Sequence, residues 1–155
     1  LGGAAAALTR LKSFAGKVPR RLESALRPHL YPQPRIAQGL WLRRRGVATA
    51  AIDLSDGLST DLGHICEESG VAAEVEAAGL PVHSTASLEQ ALHGGEDYEL
   101  LFTARPSARL PRSIAGVPVT KIGRIVKRTA GRPAAILLAP QGPKSLEPHG
   151  WEHFS

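Results

Sequence analysis

Apolar positions change their period several times along the chain, and each change marks an element. Over residues 3–14, Leu8, Leu11 and Phe14 recur on one side, which predicts a helix. Over 20–30, Leu22, Leu26 and Leu30 stand four apart and predict a second, short helix. Pro32 and Pro34 restrict the residues before them, so 31–35 reads as a connector. A third helix is predicted over 36–45, stopped by Gly46. Residues 47–54 are rich in Ala, Val and Ile and read as a strand. A helical stripe returns over 57–69 with Leu58, Leu62, Ile65 and Cys66, and Gly70 ends it. Period two follows: Val71, Ala73, Val75 and Ala77 face one way, Glu74 and Glu76 the other, the pattern of a half-buried strand. Ser87 and Gln90 form a capping box that opens a short helix to His93, closed by Gly94 and Gly95. Further strands are predicted over 98–103, 117–120, 122–125 and 134–138, and 142–155 reads as a polar tail carrying Trp151 and Phe154. Helices and strands mix without strict alternation. The predicted class is α+β, with helices packed on a mainly antiparallel sheet.

Composition narrows the setting. Of 155 residues, 43% are apolar and 21% charged, enough for one core and against wholesale disorder. No apolar run reaches the roughly 18 residues of a membrane span, and residues 1–8 lack the charged start of a secretory signal. The single cysteine, Cys66, rules out an internal disulfide and a cysteine-built zinc cage, and fits a reducing cytoplasm. On its apolar stripe Cys66 reads as core. The chain has no methionine and opens at Leu1-Gly2-Gly3, so a fragment or processed product is expected. The net charge is +5, with basic runs at Arg20–Arg21, Arg43–Arg45 and Lys127–Arg128. Such runs serve as solvated faces, phosphate contacts or nucleic-acid contacts. Aromatic side chains do not interleave with them, as a stacking platform for single strands would need.

Two constellations carry chemistry. The first is Asp53, Ser55 and Asp56 before Gly57, where a strand passes into a helix. Asp53 and Ser55 share a strand face, and Asp56 falls at the helix entrance. Paired carboxylates suit a hard divalent cation, and a helix N-terminus favours phosphate. Gly57 permits close approach to the backbone. The alternative is a helix cap, which accounts for one of Ser55 and Asp56 but not for Asp53. Asp61 and His64, on the polar side of the following helix, read as exposed or capping. The second constellation is Gly94-Gly95 followed by Glu96, Asp97 and Glu99. The glycines predict a tight turn with positive φ, and Glu96 and Asp97 stand at a strand mouth, as ligand contacts or as a solvated acidic turn. Trp151 near the end of the chain either pins the tail or stacks on a ring-shaped ligand. No Walker loop, G-x-S-x-G elbow or H-E-x-x-H helix is present.

Together these segments resemble the thiamine-monophosphate kinase family. The carrying text is residues 51–65 and 93–102, with lesser support from residues 1–6, Pro34-Arg35, residues 122–125 and residues 150–154. The resemblance covers about the C-terminal half of the family's length. It implies a superfamily shared with aminoimidazole-ribonucleotide synthetase and selenophosphate synthetase, and their α+β C-terminal domain. It further implies a cytoplasmic enzyme, a homodimer when intact, that uses ATP and Mg²⁺ to convert thiamine monophosphate into thiamine diphosphate. Carried over by motif, Asp53 and Asp56 are Mg²⁺ ligands, Ser55 contacts ATP, and Glu96 and Trp151 contact the substrate. No side chain acts as a catalytic nucleophile. Residues 1–46 would be a helical lead-in and connector from a missing N-terminal domain, and 47–155 the C-terminal domain. The 155-residue chain alone would hold one wall of the site and be inactive. Two alternatives stand beside this reading: another ATP-dependent enzyme of the superfamily, or a non-catalytic basic module that binds nucleic acid. The Asp53 and Asp56 pair speaks against the latter, because acids facing a phosphate backbone cost affinity without a metal.

Overall fold

The computed structural model describes residues 1–14 and 23–149. The expectation for Trp151 therefore lies outside the described residues. Three helices lead: α1 (Gly3–Lys12), α2 (Glu23–Leu30) and α3 (Ile36–Arg45). Then come β1 (Ala48–Asp53), α4 (Leu58–Glu68), β2 (Val71–Glu76) and, past a 3₁₀ turn at Ala77–Gly79, α5 (Leu88–His93). The remainder is β3 (Leu100–Ala104), β4 (Ser113–Ile114), β5 (Val117–Pro118), β6 (Gly123–Lys127), β7 (Ala135–Ala139) and β8 (Gly142–Ser145).

The strands form a four-stranded sheet in the order β6-β2-β7-β8 and two-stranded ladders β1-β3 and β4-β5. β2 runs antiparallel to β6 and parallel to β7; the other pairings are antiparallel. The fold is α+β, as its periodicities predict. The core lies between α4 and the larger sheet. Leu58, Leu62 and Cys66 from the helix meet Ala73 and Val75 of β2 and Ala135 and Leu137 of β7. Ala73 pairs with Ala135 and Val75 with Leu137, so one pleat face of both strands points at the helix. Cys66 is fully buried, which pushes its thiol pKa up. Ala72 is buried as well, because β2 is an inner strand with both faces partly covered.

Three local features differ from the sequence pattern. Residues 142–145 are a strand, not tail: Gly142, Pro143, Lys144 and Ser145 carry no apolar signal, and their register along β7 makes them β8. β8 is an edge strand, where proline is tolerated. Leu30, expected on an apolar stripe, is 44% exposed, while Leu26 one turn earlier is buried. The strand predicted from residue 98 begins at Leu100, because Tyr98 has a φ of 48°.

Candidate active site

The β1–β3 ladder ends at the pair Asp53 and Leu100. Beyond it the two chains stay fastened. The Leu54 N–H donates to the Glu99 carbonyl at 2.8 Å, the Tyr98 N–H to the Leu54 carbonyl at 2.9 Å, and the Glu96 N–H to the Ser55 carbonyl at 2.8 Å. The motifs 53–57 and 94–99 thus form one edge. Close approach demands the glycines: a Cβ at Gly95 would lie 2.6 Å from the Ser55 carbonyl oxygen, and one at Gly57 would lie 2.9 Å from the His93 carbonyl. Gly57 also has a φ of 108°, which L side chains rarely adopt. The positive φ expected at Gly94 and Gly95 falls instead on Glu96 (66°) and Tyr98 (48°). Such strain in non-glycine residues persists where the surroundings over-determine the backbone.

The first motif is supported from within its own helix. The N-cap of α4 is Gly57, which offers no side chain, so neither Ser55 nor Asp56 caps it. Asp61 does the holding: its Oδ2 accepts from the Asp56 and Gly57 N–H groups, each at 3.1 Å. It is buried, not on a polar face. Burial pushes its carboxyl pKa up and the charge of Asp56 adds to the rise, while the two N–H groups and nearby His64 oppose it. Asp53 is exposed and Ser55 and Asp56 half-buried. Ser59 is fully buried and bonds His93 Nδ1 at 2.8 Å, which ties the start of α4 to the end of α5. Burial lowers the His93 pKa; Glu89 at 3.7 Å opposes this, and the His149 ring, edge-on at 5.1 Å, adds to it.

The second motif divides its acids among distant partners. Asp97 accepts from the Gly2 N–H at 2.5 Å and the Ala4 N–H at 3.1 Å, capping α1. Glu99 takes a two-pronged contact from Arg35, at 2.8 Å from Nε and 2.5 Å from Nη2. That hydrogen bond raises the arginine's pKa, against the pull of burial. Glu96 alone of the three turns outward, with its side chain 56% exposed and Oε2 3.0 Å from His29 Nδ1 on α2. The contact is an ion pair when the imidazole is protonated; Nδ1 is buried and makes no hydrogen bond among the described residues.

Asp53, Ser55, Asp56 and Glu96 therefore share one edge, as far as the described residues go. No group of three or more His, Cys, Asp or Glu among the described residues is placed to hold a metal. Two surface concavities, of about 320 Å³ and 570 Å³, are lined by residues of neither motif. Sequence reasoning missed Asp61, His29 and Arg35 as supports. An acid in the first turn of α4 was a usable sign of Asp61; nothing local marks His29.

An α+β unit of this kind belongs to a known family of domains. The AIR synthase related protein C-terminal domain matches residues 1–135, and the chain belongs to that family. Within it, the chain is similar to thiamine-monophosphate kinases. It is 40% identical over 142 residues to that of Escherichia coli (strain K12), covering 84% of this chain and 42% of that protein. It is 43% identical over 137 residues to that of Haemophilus influenzae, covering 81% and 41%. The solved structure "AaThiL complexed with AMPPCP and TMP" matches with a TM-score of 0.79 and 30% identity, over 99% of this chain and 48% of that one. The thiamine-monophosphate kinase of Stenotrophomonas maltophilia K279a matches with a TM-score of 0.71 and 35% identity, over 88% and 47%. The chain spans less than half the length of each of these relatives. No helix among the described residues is long and apolar enough to cross a membrane.

Proposed function

We propose that this chain supplies the C-terminal half of a cytoplasmic thiamine-phosphate kinase, a homodimer when intact, which transfers phosphate from ATP to thiamine monophosphate. The observation that carries this is the Glu96-to-Ser55 backbone hydrogen bond, which joins at one edge the two motifs on which the resemblance to the kinases rests. A relative of matching fold is complexed with AMPPCP and TMP, in support. The reaction is phosphoryl transfer, which needs positioning and charge neutralisation more than side-chain chemistry. An oxygen of the substrate's phosphate attacks the γ-phosphorus of ATP in line. The new P–O bond forms as the bond to the β-phosphate oxygen breaks, giving thiamine diphosphate and ADP. Ser55 positions an ATP phosphate. Glu96 accepts from an amino group or faces a cation of the thiamine part, and Trp151 stacks on it.

Asp53 and Asp56 offer hard oxygen donors and fit part of a Mg²⁺ shell. Two carboxylates do not complete one, so phosphate oxygens, water and the other half of the site must contribute. Mg²⁺ bound there would offset the negative charge that gathers on the phosphates. The test is transfer of labelled γ-phosphate from ATP to thiamine monophosphate. The complete gene product is expected to turn over and the 155-residue chain is not. Absence of transfer by the complete product would overturn the proposal, and turnover by the chain alone would overturn the half-site.

A further inference from the structure

We propose that His29 is a positioning residue that fixes the Glu96 carboxylate for the thiamine part of the substrate; this rests on Glu96 as a substrate contact. Glu96 is the outward acid of its loop, and an exposed glutamate samples many rotamers. His29 reaches it from another helix: Nδ1 stands 3.0 Å from Oε2. The imidazole is only 19% exposed, and the nitrogen itself is buried with no hydrogen-bond partner among the described residues. The Glu96 carboxylate is the polar contact the structure gives it. With Oε2 engaged, Oε1 remains for an amino group or cation.

The place of His29 is set by the loop it serves. Asp97, next to Glu96, caps α1 through Gly2 and Ala4. α1 then meets α2 closely, since a Cβ at Gly3 would lie 3.3 Å from Pro28 Cβ. Leu26 buries α2 on its other turn, 1% exposed. His29 follows Pro28 directly and returns to Glu96. The contacts close a ring from residue 97 through α1 and α2 back to residue 96. Such a ring holds one carboxylate in one orientation, and a preorganised group binds without first losing rotamer freedom. The effect belongs to acceptor binding, not to the transfer step.

The experiment uses the complete gene product. His29→Ala is expected to raise KM for thiamine monophosphate about tenfold, with kcat and KM for ATP within about twofold. His29→Asn, whose amide nitrogen falls near the place of Nδ1, should recover most of the loss. Adding His29→Ala to Glu96→Gln should change KM little further, since the two act through one contact. An unchanged KM in His29→Ala, or an equal rise in the Glu96→Gln background, overturns the inference. His29→Phe, which keeps a ring and removes the nitrogen, carries the test should the alanine variant not fold. If the wild type transfers no phosphate, the functional reading fails. The contact is then judged by the His29 ring resonance at fixed pH: it shifts in Glu96→Gln if His29 holds the carboxylate, and its constancy rejects the positioning.

Discussion

The turn at 53–57 and the loop at 94–99 meet along one edge, yet they are held there by opposite means. The turn is supported locally: Asp61, a few residues ahead in the same segment, accepts from the Asp56 and Gly57 N–H groups. The loop is supported from afar, by Arg35 on Glu99, by α1 on Asp97 and by His29 near Glu96. A local support keeps its geometry while the rest of the molecule shifts. A remote one makes the site a readout of how the leading helices are seated. The candidate phosphate-and-metal half is thus built to be rigid, and the candidate thiamine half to depend on packing elsewhere.

Substitutions can break this contrast. The largest effect expected is on chemistry: Asp56→Asn in the complete protein should lower turnover about 10³-fold. Its stability should hold or rise, because the Asp56 charge already disfavours ionised Asp61 nearby. Turnover within tenfold of wild type would remove Asp56 from the metal site. Next, Asp61→Ala strips two backbone N–H groups of their acceptor and should destabilise the fold by about 2–3 kcal/mol in urea unfolding. If the turn is local, the KM for thiamine monophosphate stays put in the fraction that remains folded. Arg35→Ala should cost less, about 1 kcal/mol, since both partners are partly solvated. Its signature is a raised KM for the acceptor, and a loss confined to ATP affinity would reverse the assignment of the two halves.

The smallest effect is the pH dependence of the tie between α4 and α5. The folded His93 pKa is lowered by burial, with Glu89 opposing and His149 adding. The unfolded chain then binds the proton more tightly, so stability falls as pH drops through the ordinary histidine range and recovers above it. Thermal melts between pH 5 and 8 should show this slope, shallower in His93→Gln. An unchanged slope would locate the dependence in another group.

The legible parts of the sequence were those whose cause is local. The capping box at Ser87 and Gln90 forms both of its bonds, at 3.1 and 3.0 Å. The stripe of Leu58, Leu62 and Cys66 is the core face of α4. The Asp53, Ser55 and Asp56 cluster sits at a strand-to-helix turn, as its text required. Long-range causes left no pattern. β8 is a strand only because β7 offers it a register. The glycines at 94 and 95 are there for close approach, which a turn-based argument takes for positive φ. Nothing around residue 29 announces that its ring will meet a carboxylate from beyond five intervening helices and strands, α3, β1, α4, β2 and α5.

The β1–β3 pairing has a consequence for how the protein is made. Strand β1 leaves the ribosome with its edge unpaired, and its partner emerges about 50 residues later. At roughly 5–20 residues per second, that is a wait of several seconds. Throughout it, the backbone of Ala48–Asp53 offers free donors and acceptors to any other extended chain. The six-residue strand has four small or β-branched apolar side chains besides Thr49 and Asp53, and Asp53 is its one charged residue. The same carboxylate proposed to hold Mg²⁺ in the finished enzyme is thus the gatekeeper of the nascent strand.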